Sequence, residues 1–335
     1  MMRFWHWLLI TGLLLATLLT GCSLDDDRDD CSIKLHFRYY ISGEDRLTHD
    51  VLSMRHFLFD ADSIYLREVS DPCHCSDPVL KIDDLNYGTY TLITLGNLTG
   101  LTRLSELRPG VTHLTAFQQH LDSQWATRAD GDAADGGYAN GDDLFYNATT
   151  FSVSDDAPDT YICDMSNIHC HLHVLVYWEQ PPSYSGRFTV QLTGVPSGYS
   201  LHPDSTRRIL QQDDMAELTV PTAKNRVQLF PVEPLGLVSH VQQVRSYNYE
   251  LEAHFTTQRY TADCIPVLQV FCNGEAVTGR IDLARAFAYL RWYPDQSVEQ
   301  DYSVKMRINP DGSADLNRWM QGRVSDWVDG GSIGN

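Results

Sequence analysis

The sequence predicts an all-β protein made of two β-sandwich or barrel units in tandem. Short runs of alternating apolar and polar residues recur from Ile33 to Ile308, which is the pattern of half-buried strands. Turn residues separate the runs, as in sandwiches and barrels. No helical periodicity of comparable length competes. A polar stretch at 154–160 (Ser-Asp-Asp-Ala-Pro-Asp-Thr) reads as a linker and divides the runs into two sets, placing the units at 31–158 and 159–335.

The first thirty residues stand outside this pattern. Arg3 is followed by an apolar run from Leu8 to Leu19 and then by Leu19-Thr20-Gly21-Cys22. Basic start, short apolar core and small-residue site are those of a secretory signal peptide, residues 1–21. The ending looks like a bacterial lipobox, which implies cleavage before Cys22 and lipid on Cys22. The apolar run is about a dozen residues, short of the roughly 20 a helix needs to cross a bilayer. Residues 22–30, with Asp25, Asp26, Asp27, Asp29 and Asp30, form an acidic tether.

The strands follow in order. Ile33, Leu35, Phe37 and Tyr39 alternate with Lys34, His36 and Arg38. Met54 to Leu66 reads as a hairpin split by Asp60-Ala61-Asp62. Leu80-Lys81-Ile82 leads to a turn at Leu85 to Gly88 and a strand from Thr89 to Leu95. Residues 104–125 carry mixed signals with room for a short helix. Residues 128–143 are a polar loop, and Leu144 to Val153 closes the first unit. In the second unit Ile168, Cys170, Leu172, Val174 and Val176 alternate with His169, His171 and His173. Phe188, Val190 and Leu192 alternate before a turn at Pro196-Ser197-Gly198. Runs at 216–220 and 227–230 follow, then Tyr249 to Phe255, Leu268 to Cys272 and Tyr302 to Ile308. Ile281 to Tyr289 suits a turn or two of helix.

Composition limits the function classes. Lys and Arg total 25 against 44 acidic residues, a net charge of −19, and loss of Arg3 with the signal peptide makes it one unit more negative. Phosphate binding needs a basic face, so nucleic acid is excluded as a partner. The chain has no G-x-S-x-G, no H-E-x-x-H and no P-loop, so no enzyme activity and no cofactor are expected. An exported chain can form disulfides. Cys31 with Cys73 or Cys75, and pairs among Cys163, Cys170, Cys264 and Cys272, are the candidates, with connectivity left open.

Three motifs invite a ligand reading. His169, His171 and His173 share one strand face, a spacing that suits zinc. No carboxylate or fourth ligand is evident beside them, so a solvent-facing row and no stoichiometric zinc are expected. Cys73-His74-Cys75 lacks a second pair at zinc spacing. Asp130 to Gly136, with Asp142 and Asp143 downstream, misses the EF-hand order and reads as a solvated loop. Asn97-Leu98-Thr99 and Asn147-Ala148-Thr149 match the glycosylation acceptor pattern by chance.

The order of these pieces resembles the fimbrial anchor lipoproteins of Bacteroidales. The residues that carry the resemblance are the lipobox Cys22, Cys31 opening the strand Ile33 to Tyr40, the hairpin ending Phe59-Asp60 and Ser63 to Leu66, and Ile82 to Asn97 with Tyr87-Gly88 and Tyr90. Asp143 to Tyr146, Ser166 to Leu172 and Val324 to Trp327 extend it over most of the chain. The three histidines depart from the small or basic residues expected in the opening strand of the second unit. The resemblance implies two transthyretin-like (Ig-like Greek-key) β-sandwich domains in tandem, held by lipid in the outer membrane, surface-exposed. It implies pilin subunits as partners and a pilus anchor that accepts a donor strand from the next subunit, since an open sheet edge can be completed by a neighbour's strand. A lipid-anchored module that binds carbohydrate or protein is the alternative.

Overall fold

A computed structural model of the chain describes residues 32–70, 78–121, 140–178, 180, 182–203, 230–231, 237–244, 250–261, 265–294 and 296–318. The signal peptide, Cys22, the acidic tether, Cys31, Cys73, Cys75, Cys264, the Asp130–Gly136 loop, the strand expected at 216–220 and Val324 to Trp327 lie outside the described residues.

The first half forms β1 (Ile33–Arg38), β2 (Tyr40–Ile41), β3 (Glu44–Asp45), β4 (Met54–Phe59), β5 (Tyr65–Val69), β6 (Val79–Ile82), β7 (Gly88–Gly96), β8 (Thr102–Leu104), β9 (Gln118–Leu121), β10 (Phe145–Val153), β11 (Thr160–Asp164) and β12 (Ser166–Asn167). The second forms β13 (His169–Trp178), β14 (Phe188–Pro196), β15 (Gly198–Ser200), β16 (Phe230–Pro231), β17 (Leu237–Val244), β18 (Glu250–Gln258), β19 (Val267–Cys272), β20 (Glu275–Ala276), β21 (Ile281–Asp282), β22 (Asp301–Ile308) and β23 (Ala314–Arg318).

The first half pairs a three-stranded sheet, β11-β1-β6, with a five-stranded sheet, β12-β10-β7-β4-β5. Ile33, Leu35, Phe37, Leu58, Leu92 and Phe151 fill the space between them. The expected hairpin joins β4 to β5. Asp60 closes its turn by accepting the Asp62 and Ile64 amides at 3.0 and 2.8 Å. Phe57-Leu58-Phe59 and Leu92 to Leu95 are continuously buried because the five-stranded sheet is covered on both faces. Its outer face carries a second cluster, with Phe57, Phe59, Ile93, Leu95, Leu114 and Phe117. Leu114–Ala116, in the mixed-signal segment, is a single 3₁₀ turn.

The second half pairs β18-β13-β22-β23 with β17-β14-β19-β20, β21 adding to β19. Here the alternating pattern is the core: Cys170, Leu172, Val174 and Val176 face Val190, Leu192, Leu268 and Val270. Gly194, at φ +83°, takes the left-handed conformation where β14 bulges between Thr193 and Val195. The helix Leu283–Leu290 is capped by the Asp282 side chain on the Ala284 amide and buries Leu283, Ala286 and Phe287.

Chain segments cross between the halves. β11, read from sequence as the far side of a linker, pairs in parallel with β1, and β12 pairs with the start of β10. A separate sheet, β16-β15-β9-β8, draws two strands from each half. Gly198 in β15 lies so close to Gln119 in β9 that a Cβ would sit 2.0 Å from its carbonyl oxygen, so only glycine fits. Tyr199 and Leu201 then enter the outer cluster of the five-stranded sheet. Gln119 and Gln258 exchange buried amide hydrogen bonds of 2.6 and 3.0 Å.

Arg259, 2% exposed, holds the same joint. One guanidinium nitrogen donates to the Asn167 backbone and side-chain oxygens at 3.0 and 2.9 Å, and the other to the carbonyls of Pro294 and Ser297 at 3.0 and 2.6 Å. Burial works against its charge, but an arginine stays protonated inside a protein, so these oxygens must stay in place.

Among the described cysteines no disulfide forms. Cys163, Cys170 and Cys272 are free buried thiols. Cys163 lies in the first core, and the other two in the second. Cys272 pairs with Phe188, which packs on Trp178 at the far end of β13 from Cys170. Eight residues of strand separate those ends, roughly 26 Å at 3.3 Å per residue. A disulfide needs Cα atoms within about 7 Å.

Replacing Arg259 with Ala orphans several buried carbonyl oxygens, so Arg259→Ala should cost at least about 3 kcal/mol of unfolding free energy. Urea unfolding followed by tryptophan fluorescence reads this. A cost under about 1 kcal/mol, within the range of an ordinary surface substitution or single hydrogen bond, would sink the role given to it.

Candidate functional site

The outer face of the β18-β13-β22 sheet carries a row of histidines and carboxylates. Strand alternation puts His169, His171 and His173 on that face, opposite Cys170, Leu172 and Val174. Register brings the partners. β22 runs parallel to β13 with Asp301 beside His171, and β18 runs antiparallel with His254 opposite His173.

His171 lies between two carboxylates. Its Nδ1 is 2.7 Å from Asp301 Oδ1 and its Nε2 is 2.8 Å from Asp143 Oδ1. The bonds to Asp143 and then Asp301 raise its pKa from the ordinary 6.5 to about 9, so it is an imidazolium at neutral pH. The same bonds lower the pKa of both aspartates. All three side chains are part-exposed, so the clamp is worth little of the full Coulomb energy.

His169 is different. It is 7% exposed, and its Nδ1 is 2.9 Å from the Leu144 carbonyl oxygen. That oxygen only accepts, so Nδ1 carries the hydrogen. Burial lowers its pKa, which keeps the ring neutral and leaves the lone pair on Nε2. The rings of His169 and His171 are 4.8 Å apart. His173 stacks on His254 at 3.6 Å, and their Nε2 atoms lie 2.7 and 3.3 Å from one oxygen of Glu252. The backbone explains the closeness. The His254 carbonyl and Thr256 amide bond to the Asn140 side chain, pointing away from β13, so His173 and His254 form a non-hydrogen-bonded pair, the closer kind.

These findings correct the expected row of solvent-facing histidines without carboxylates. His169 is buried, and Asp143, Asp301, Glu252 and His254 surround the row. Asp143 and Asp301 are 28 and 130 residues from His171 in sequence, so neighbouring residues gave no signal of them. The repeated His-x-His spacing was the one legible sign.

Other sequence motifs serve structure. Asp142 is buried, and its carboxylate accepts the Thr99 and Thr102 amides at 3.2 and 3.0 Å, closing the loop at 99–102. Asn97 and Asn147 are buried, and their amide nitrogens donate to the Asp50 and Asp164 carbonyls at 2.7 and 2.9 Å. Both acceptor motifs are thus occupied in the fold. A cleft of about 550 Å³ opens beside β5, lined by Arg55, Phe57, Tyr65, Glu68, Leu98 and Leu107. Arg55 and Glu68 pair across it at 2.7 and 2.9 Å. The start of β5 is itself covered, since Tyr65 exchanges backbone bonds with Thr112 and Gly110.

The profile of the fimbrillin-A associated anchor proteins Mfa1 and Mfa2 matches residues 28–311. The chain belongs to this family. No curated protein sequence matches it. The fimbrial anchor protein Mfa2 of Porphyromonas gingivalis aligns over 90% of this chain and 98% of its own, at 15% identity and a TM-score of 0.59. A Bacteroides ovatus protein provisionally described as an adhesin aligns over 87% and 93%, at 14% identity and a TM-score of 0.64. A Bacteroides thetaiotaomicron protein provisionally described as polysaccharide-binding aligns over 87% and 99%, at 12% identity and a TM-score of 0.59. At such identities the solved structures establish the shared β-rich fold. Membership in the anchor family implies a cell-surface place and association with fimbrillin.

The His171 clamp has a defined pH window. A histidine held above its ordinary value contributes fully below about 6.5 and loses that contribution as pH rises through about 9. The lowered aspartates contribute above their ordinary 3.8 and lose it as pH falls through their lowered values. In chelator-treated protein the His171 ring resonances should titrate near pH 9 by NMR, and Asp301→Asn should bring the midpoint down. A midpoint at or below 6.5 in the unsubstituted protein contradicts the clamp.

Proposed function

We propose that this chain is an outer-membrane lipoprotein, cleaved before Cys22 and lipidated there, that holds a fimbria to the cell surface by accepting a donor strand from the next pilin subunit. The observation that carries the reading is the order of the parts: a lipobox, an acidic tether, and then the anchor-family match from residue 28. One acyl chain binds a membrane only marginally, so stable anchoring calls for more than one lipid group at Cys22. The two sheet pairs are read as transthyretin-like sandwiches in tandem. A donor strand would add main-chain hydrogen bonds along an open edge and side chains in alternate pockets.

The second reading, a carbohydrate-binding surface lipoprotein, is favoured by the cleft beside β5. Its two aromatic rings, Phe57 and Tyr65, are both buried and offer little face for a sugar to stack on. Anchoring therefore takes precedence.

Cys22→Ala should move the protein from the detergent-extracted membrane fraction to soluble or uncleaved material. Deleting the gene should release fimbriae or alter their length, and the solubilised protein should co-purify with a fimbrillin. Unchanged fractionation removes the lipid assignment. Fimbriae that stay attached at normal length, with no pilin co-purifying, remove the anchor assignment, and a saturable glycan-array signal would then favour the second reading.

A further inference from the structure

We propose that Asp143, His169 and His171 form a binding site for a first-row divalent cation, zinc in the first instance, that fastens the segment before β10 to the first strand of the second sheet pair. The inference reverses the expectation from sequence and is independent of the anchoring role.

Three observations carry it. The first is convergence: one ligand atom from each residue lies within 4.8 Å of the other two. Two imidazoles and one carboxylate suit zinc and its first-row neighbours, and leave positions for water.

The second is the support behind each imidazole. His169 gives its Nδ1 hydrogen to the Leu144 carbonyl, and His171 Nδ1 faces the Asp301 carboxylate. Metal-binding histidines are held this way, by a carbonyl or carboxylate on the outer nitrogen that fixes ring and tautomer. A simple ion clamp explains His171 between its aspartates. It leaves unused the Nε2 lone pair of a buried His169 whose ring a backbone carbonyl orients toward that clamp. A cation site uses all four groups.

The third is access and fit. Asp143 and His171 are part-exposed, so an ion can reach them from solvent. Asp143 Oδ1 and His171 Nε2 are 2.8 Å apart with a hydrogen between them. Tetrahedral ligands at about 2.0–2.1 Å from zinc stand roughly 3.3 Å apart. The cation therefore displaces that hydrogen, and the exposed Asp143 carboxylate gives way by about half an ångström.

A neighbouring group, His173, Glu252 and His254, is also compact enough to hold an ion. The burial of His169 and the fixing of its ring by the Leu144 carbonyl decide for the first group, and Glu252→Gln separates the two by experiment. The full chain is stripped with chelator and titrated with Co²⁺ or Zn²⁺. Co²⁺ is read by visible absorption and Zn²⁺ by equilibrium dialysis, with circular dichroism to verify folding. A tight equivalent should bind and raise the melting temperature. Asp143→Asn and His171→Gln should each weaken it at least tenfold. Asp301→Asn, which touches no ligand position, should weaken it about 10- to 100-fold, the usual effect of losing an outer partner. Glu252→Gln should leave it unchanged. The proposal is overturned if the unsubstituted protein retains no equivalent, if folded Asp143→Asn binds as tightly, or if Glu252→Gln alone abolishes binding.

Discussion

A guanidinium taken out of water costs several kcal/mol unless its hydrogens find oxygens, and Arg259 finds them in places that fix the rest of the molecule. Asn167 belongs to β12 at the edge of the five-stranded sheet, and Pro294 and Ser297 belong to the loop that leads into β22. Gln300 donates to the same Pro294 carbonyl at 2.9 Å and its own carbonyl receives the His171 amide. The buried charge thus sets where β22 begins, and so where Asp301 meets His171. A change at the joint propagates to the histidine row through backbone, with no need for a longer path.

Contacts between domains are by default modest and allow relative motion. Here a sheet shared by both halves, a buried pair of amides and a buried charge all cross the same boundary. Hinging would break backbone ladder bonds between β9 and β15 and strand polar groups away from water, each costing about 1–3 kcal/mol. The two sheet pairs are therefore joined by backbone and buried polar bonds, which suits a protein whose family holds a filament to a cell.

Much of the core could be read from the sequence, because period-two alternation is a local signal. Leu172, Val174 and Val176 face inward as their spacing says, as do Val304, Met306 and Ile308. The turn at Asp60 was readable for the same reason, since its carboxylate acts within four residues. What failed to show was which segments meet. The polar stretch before Thr160 signals a turn but carries no information about the sheet that takes β11. Half of the histidine row was visible, in the spacing of three rings on one face. Its carboxylates arrive through the parallel register of β22 and the segment before β10, and parallel pairing at long range leaves no periodic trace. The burial of His169 likewise depends on Leu144 and Phe145 packing beside it.

Tyr199 and Leu201 plug the outer face of a sheet whose strands all precede them in the chain. A polypeptide emerging amino-terminus first from the ribosome presents most of that sheet before its plug. Until residue 201 has emerged, Phe57, Phe59, Ile93 and Leu95 keep one flank open to solvent, and that flank is sticky while it waits. Vectorial synthesis therefore cannot complete the amino-terminal half by itself. Closure is postponed until Tyr199 and Leu201 have arrived, so the sheet is finished by chain made after all of its own strands.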